Sequence, residues 1–371
     1  MTGLTLNGRN FSCEWMAQNF RSLADKNFTD AENRTLKFCG EWLSGVERFI
    51  VSTSGSTGAP KPISLTREQM MLSARMTGAA LNLQAGDRAL VCLSPQHIAG
   101  LMMLARGLVL DLDLTIVEPS SDPFRALDLK TTPPFDFTAL APLQLQSILV
   151  HPQHINFLNK MKAVLVGGAP LSISLQNQIK NLRAPVYQTF GMTETVSHIA
   201  LRRLNGPHAA EHYQTLPGVE IGQDDRGCLT INSAVTNFRN IITNDVVELI
   251  SETAFVWLGR IDHVINSGGI KVQAEKVETI IEQILFELNV EHGEFFVGGL
   301  PDERYHEKAA AVFTGQQLSV ETEAALKAAL AKKLNKFELP KEIVYLDSVV
   351  RTPSGKIDRQ ATLKKIMLNK L

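Results

Sequence analysis

Cysteine is scarce in this chain and never paired at short range. Cys13, Cys39, Cys92 and Cys228 are the only four, and no two share the C-x-x-C spacing of a zinc ribbon or a dithiol redox motif. That pattern fits a reduced, cytoplasmic protein. A dominant charge is also missing: 37 Lys and Arg oppose 38 Asp and Glu, for a formal net charge of −1. Without a field of one sign, nucleic acid is a poor partner and a small molecule the default. No apolar run suits stable membrane insertion. The most apolar stretch, 98–117, is interrupted by Arg106, Asp111 and Asp113 and reads as a buried helix and strand. The N-terminus has no basic region followed by an apolar core, so no signal peptide is expected. Internal repeats and low-complexity segments are absent as well.

What is present has the length of about two domains, at 371 residues. Residues from roughly 10 to 50 read as helical. Phe49–Val51, Ala89–Leu93, Met161–Val166 and Pro185–Thr189 read as short strands that run into Ser-, Gly- or Pro-containing turns. Helical patterns lie between them, one starting at the N-cap candidate Thr66. Alternation of this kind predicts a layered α/β domain, in which ligands gather at the carboxyl ends of strands. The pattern changes near Gly259. Beyond it come an amphipathic helix over 274–285, strands at 295–297 and 309–313, a helix marked by Leu326, Leu330 and Leu334, and a basic tail helix. This predicts a large domain over 1–258, a joint at 259–263 and a small α+β domain over 264–371.

Chemistry concentrates in Thr53-Ser54-Gly55-Ser56-Thr57-Gly58-Ala59-Pro60-Lys61. Glycines let a backbone approach a ligand closely, while hydroxyls and amides can wrap phosphate oxygens. The segment does not have Walker A spacing. Two other motifs lead nowhere. His208-x-x-Glu211-His212 has an inverted zinc-peptidase spacing but falls between Pro207 and Pro217 without helical periodicity, and Ser56 lacks the G-x-S-x-G frame of a nucleophile.

The loop at 53–61 resembles the phosphate-binding loop of the acyl-adenylate-forming superfamily, with Pro62 where that family usually has glycine. Other motifs follow in the family's order. Phe190-Gly191-Met192-Thr193-Glu194 is similar to its aromatic-Gly-x-Thr-Glu motif. The resemblance implies that Phe190 packs on adenine, Thr193 meets the α-phosphate and Glu194 holds Mg2+. Gly168-Ala169-Pro170 resembles the turn lining the adenine and acyl pocket. Thr243-Asn244-Asp245 resembles Thr-Gly-Asp, whose aspartate binds ribose, and Asn244 is expected to keep the turn because it tolerates positive φ. Gly259-Arg260-Ile261-Asp262 resembles the hinge motif, with Arg260 toward ribose and Asp262 as pivot. Gly268-Gly269 would face the adenylate during thioester formation. Lys356, in Thr352-Pro353-Ser354-Gly355-Lys356, would be the adenylating lysine, with Lys61 adding charge at the phosphates. The family usually carries a much longer segment before the phosphate loop, so a shortened N-terminal subdomain is expected.

The resemblance implies an ATP-dependent ligase that makes an acyl-adenylate and passes it to coenzyme A, as a possible homo-oligomer. Ser197 and His198, with His97 and Arg106 further back, resemble the subgroup that acts on o-succinylbenzoate. Arg106 either pairs with a second substrate carboxylate or snorkels to the surface. A ligase for another aryl or fatty acid, and an inactive adenylate-binding protein, fit the same motifs.

Overall fold

The computed structural model describes residues 2–25, 28–52, 61–352 and 356–368. The short apolar runs assemble into one 13-stranded sheet. Its parallel block runs, in spatial order, Gly3–Leu6, Asp113–Ile116, Arg88–Val91, Phe137–Leu140, Ala163–Val166 and Val186–Gly191. The strands 137–140 and 163–166 are buried at every position, as a sheet covered on both faces requires. Alternate side chains enter different cores. Ala89 and Val91 join the core under helices Asp30–Leu43, Arg67–Leu81 and Ile98–Leu110. Leu90 and Cys92 join the core under helices Pro142–Leu149, Pro152–Leu158 and Ile173–Ile179.

Past Val186–Gly191 the sheet turns antiparallel through His198–Arg203, Tyr213–Thr215, Ala254–Arg260, Ile241–Ser251, Cys228–Ser233 and Val219–Gln223. Thr66 caps helix 67–81 in a capping box with Gln69, whose amide also reaches the Val235 carbonyl at 2.7 Å.

The helical reading of roughly 10–50 holds for Cys13–Asn19 and Asp30–Leu43, but strands precede and follow them. Gly3–Leu6 and Arg9–Ser12 form a hairpin before the first helix, Cys13–Asn19. Its turn is Asn7-Gly8, both at positive φ, the residue pair that suits a two-residue hairpin turn.

After Arg260 a 3-10 turn, Ile261–His263, leads to a second, five-stranded sheet. It contains Ile270–Gln273, Val264–Ser267, His306–Thr314 and Phe295–Asp302, with Glu342–Leu346 parallel to His306–Thr314. Helices Ala274–Glu287 and Val320–Lys333 cover one core against it. No helix among the described residues is long and apolar enough to cross a membrane.

Candidate active site

Several motif residues lie where the chain leaves a strand. Thr53, Ser54, Gly55, Ser56, Thr57 and Gly58 fall outside the described residues, as do Pro353–Gly355. The strands on either side of the first loop, Arg48–Ser52 and Pro62–Thr66, pair with Ser52 opposite Pro62, so the ends of the loop are brought together. Lys61 is exposed at its exit.

Gly167–Pro170 leaves the carboxyl end of Ala163–Val166, and Phe190-Gly191 ends the neighbouring strand. Two glycines are dictated by crowding. A Cβ at Gly167 would fall 2.0 Å from Thr189 Oγ1, and one at Gly191 would fall 2.2 Å from the Ser197 carbonyl. The Phe190 ring packs on Tyr213 and Phe255 at centroid distances of 5.5 and 5.1 Å. Thr193–Thr195 then makes a 3-10 turn that carries Glu194 exposed.

Val196 reverses the chain in a γ-turn. Its φ is 67° and its ψ −47°, and the Ser197 amide donates to the Thr195 carbonyl at 2.7 Å. A β-branched residue rarely adopts this conformation, which costs about 1–3 kcal/mol. The turn sends Ser197 and His198 back beside Gly191, with His198 paired opposite it.

Those two residues meet Arg106 from helix 98–110. Arg106 is 2% exposed. Its Nε donates to Thr77 Oγ1 at 3.3 Å, and its Nη2 donates to Ser197 Oγ at 3.0 Å and lies 3.4 Å from His198 Nδ1. His198 Nε2 closes the ring at 3.1 Å from Thr77 Oγ1. No carboxylate pairs with this guanidinium among the described residues, and its Nη1 makes no hydrogen bond there. Burial pushes the guanidinium down to about 9, so it remains a cation at neutral pH. Burial, and then the Arg106 charge, hold His198 well below its ordinary value, leaving it a neutral imidazole.

Arg106, Ser197 and His198 are thus brought together, and the snorkelling alternative for Arg106 is excluded. His97 is not brought in: it stands exposed at the N-cap of the same helix without a hydrogen bond to the cluster. Thr77 was missed by sequence reasoning. Its signal is a hydroxyl on the stripe Met70, Ala74, Thr77, Leu81 that helix 67–81 buries.

A second cluster lies on the antiparallel strands. Asp245 pairs opposite Arg260, and its Oδ1 accepts from Trp257 Nε1 at 2.9 Å. Burial raises the Asp245 carboxyl above its ordinary value. The turn expected at Asn244 is instead extended strand with a register shift against 228–230. Asn244 has no positive φ, because a bulge takes up the extra length. Arg260 holds Asp262 bidentately, at 3.1 and 2.8 Å. Despite the opposing effect of burial, that pairing keeps Asp262 below its ordinary value.

Gly259, at φ 147°, abuts the second sheet's leading helix: a Cβ there would fall 2.4 Å from Glu275 Oε2. Glu275 also binds His263 and faces Arg359 at 3.7 Å. Gly268 and Gly269 form the tight turn between Val264–Ser267 and Ile270–Gln273, at φ 60° and 82°. Lys356 is exposed beside the bridge joining Arg351 to Ile357.

Comparison with known proteins gives a consistent picture. The AMP-binding enzyme family matches residues 48–224. An acyl-CoA synthetase (AMP-forming)/AMP-acid ligase II-like protein from Dyadobacter fermentans is 44% identical, over 91% of this chain and 95% of that one, with a TM-score of 0.61. A 2-succinylbenzoate–CoA ligase of Enterococcus faecalis is 25% identical, over 83% of this chain and 67% of its own length. The fold also matches the o-succinylbenzoate CoA synthetase of Bacillus subtilis in complex with its acyl-adenylate intermediate. There the TM-score is 0.69 and the identity 22%, over 84% of this chain and 68% of that one.

Proposed function

Because the chain belongs to the AMP-binding enzyme family, we propose that it is an ATP-dependent acid–CoA ligase acting through an acyl-adenylate, with o-succinylbenzoate as its acid. A single observation carries the choice of acid: the buried Arg106 cation, fixed by Thr77, Ser197 and His198, lacks a carboxylate partner among the described residues. A buried charge without a counter-charge is costly, so the cluster favours an anionic ligand. o-Succinylbenzoate uses its succinyl carboxylate for chemistry and retains its benzoate carboxylate for this cluster.

In the first step a succinyl carboxylate oxygen attacks the α-phosphorus of ATP, and the bond to pyrophosphate breaks. Two anions must approach, so fixed donors and cations lower the barrier. Lys356 and Lys61 serve this role, with the hydroxyls and amides of Thr53–Gly58. Glu194 suits Mg2+: its exposed carboxylate has no hydrogen-bond or ion-pair partner among the described residues, and that ion prefers hard oxygen ligands. Bound there, Mg2+ would supply positive charge to the phosphates. Phe190 and the Gly168-Ala169-Pro170 turn receive adenine, and Asp245 with Arg260 receives ribose. In the second step the coenzyme A sulfur attacks the acyl carbon and AMP leaves. The two steps need different surfaces against one intermediate. Residues 264–371 turn about Asp262, within 259–263, exchanging Lys356 for the Gly268-Gly269 face.

Arg106→Ala tests the reading. Its kcat/KM for o-succinylbenzoate should fall by the equivalent of about 1.5–3 kcal/mol, the worth of a charged hydrogen bond. An aryl acid with one carboxylate should be far less affected, and Arg106→Lys should rescue poorly because lysine lacks the planar fork. Equal losses for both acids would remove Arg106 from substrate recognition.

A further inference from the structure

Far from these motifs in the chain, three potential metal ligands converge beside the core that holds Phe124 and Phe157. Asp122 caps a 3-10 turn, Pro123–Ala126. His151 and His154 lie at the N-cap and the third residue of helix 152–158, where that spacing turns both rings to one side. His154 Nδ1 lies 3.3 Å from Asp122 Oδ2, and His151 Nε2 lies 3.8 Å from the same oxygen. The three ligand atoms all fall within 4.8 Å of one another.

We propose that Asp122, His151 and His154 form a binding site for a divalent transition metal of the zinc class, distinct from the Mg2+ that serves the nucleotide.

Three observations support it. His154 is 4% exposed, yet its Nδ1 has no hydrogen-bond partner. A buried nitrogen without a hydrogen bond, 3.3 Å from a carboxylate oxygen, has polar capacity that a shared cation would use. Second, Asp122 is oriented from behind: its Oδ1 accepts from the Phe124 amide at 3.2 Å, leaving Oδ2 toward the histidines. Such outer support is a habit of metal-binding carboxylates. Third, the distances nearly suit the ion. Ligands about 2.0–2.1 Å from a tetrahedral zinc lie roughly 3.3 Å from one another. The fixed pair already has that separation, and the half-exposed His151 needs only to close in.

Two imidazoles and one carboxylate match the preference of zinc and its neighbours, while Mg2+ prefers oxygen alone. Three protein ligands leave a position for water. The obstacle is Arg125, whose Nε lies 3.2 Å from Asp122 Oδ2 and whose Nη2 lies 3.4 Å from His151 Nε2. Its side chain is 72% exposed, so it can leave for solvent when a metal arrives. The ion would then clasp the segment after strand 113–116 to helix 152–158.

The test is a zinc titration of chelator-treated protein against a chromophoric competitor, in excess Mg2+, with thermal melting in parallel. Wild type should take up one zinc per chain and melt higher with it. His151→Ala keeps the buried residues and should bind zinc roughly tenfold more weakly or worse, with the melting shift lost. Arg125→Ala removes the competing cation and should bind zinc more tightly than wild type. A wild type that takes up no zinc, or a His151→Ala protein that binds it equally well, would overturn the proposal.

Discussion

A neutral imidazole touching a buried guanidinium makes His198 a liability in acid. Unfolded, it titrates near its ordinary value of 6.5; folded, it titrates well below that. A depressed histidine means that the unfolded chain binds the proton first. The stability it preserves is therefore complete above pH 6.5 and falls as pH drops through 6.5 toward the folded value. The slope approaches about 1.4 kcal/mol per pH unit for one group. Denaturant unfolding across that range should show a shallower fall for His198→Asn than for wild type; parallel curves would mean that His198 is not buried neutral. Arg106 was legible because a charge inside an apolar run demands a partner, whereas Ser197 and His198 entered through the resemblance of their segment to a family motif. Thr77 was not, since a hydroxyl on a helical stripe signals little until its neighbours are known. His97 stands exposed at the N-cap, apart from the Arg106 cluster. Nine residues along a helix are about 13 Å of rise, too far for both to reach one cluster from the same side.

At the scale of elements, the joint after strand 254–260 concentrates the unusual backbone: Gly259 at φ 147°, the short turn 261–263 and the Arg260–Asp262 pair. Asp262→Pro fixes φ near −65° and removes the carboxylate that holds Arg260. If the second sheet turns about this residue, the variant should still exchange pyrophosphate with ATP in the presence of acid while forming thioester slowly. Rapid-quench measurement of each half-reaction separates the two, and thioester formation at wild-type speed would mean that the pivot lies elsewhere. The change of pattern at Gly259 was visible in the sequence, because strand and helix periods there restart after a Gly-Arg-x-Asp turn. The bulge at Thr243–Asp245 was not. A register shift is set by the partner strand, and no local residue preference reveals it.

Across the whole molecule, local patterns anticipated the layers while strand order stayed hidden. Strand 3–6 lies beside 113–116, and 88–91 lies between 113–116 and 137–140, pairings between segments remote in sequence. The terminal hairpin escaped notice because four-residue strands give little periodicity, although Asn7-Gly8 marked its turn. What the assembled molecule does is accessible to one measurement. Purified wild type should be supplied with ATP, Mg2+ and coenzyme A, and offered o-succinylbenzoate, a mono-carboxylic aryl acid and a long-chain fatty acid in turn, with pyrophosphate exchange and CoA thioester both recorded. o-Succinylbenzoate should support exchange and thioester formation with the highest kcat/KM of the three. Preference for the fatty acid, or nucleotide binding with no exchange for any acid, would contradict the account.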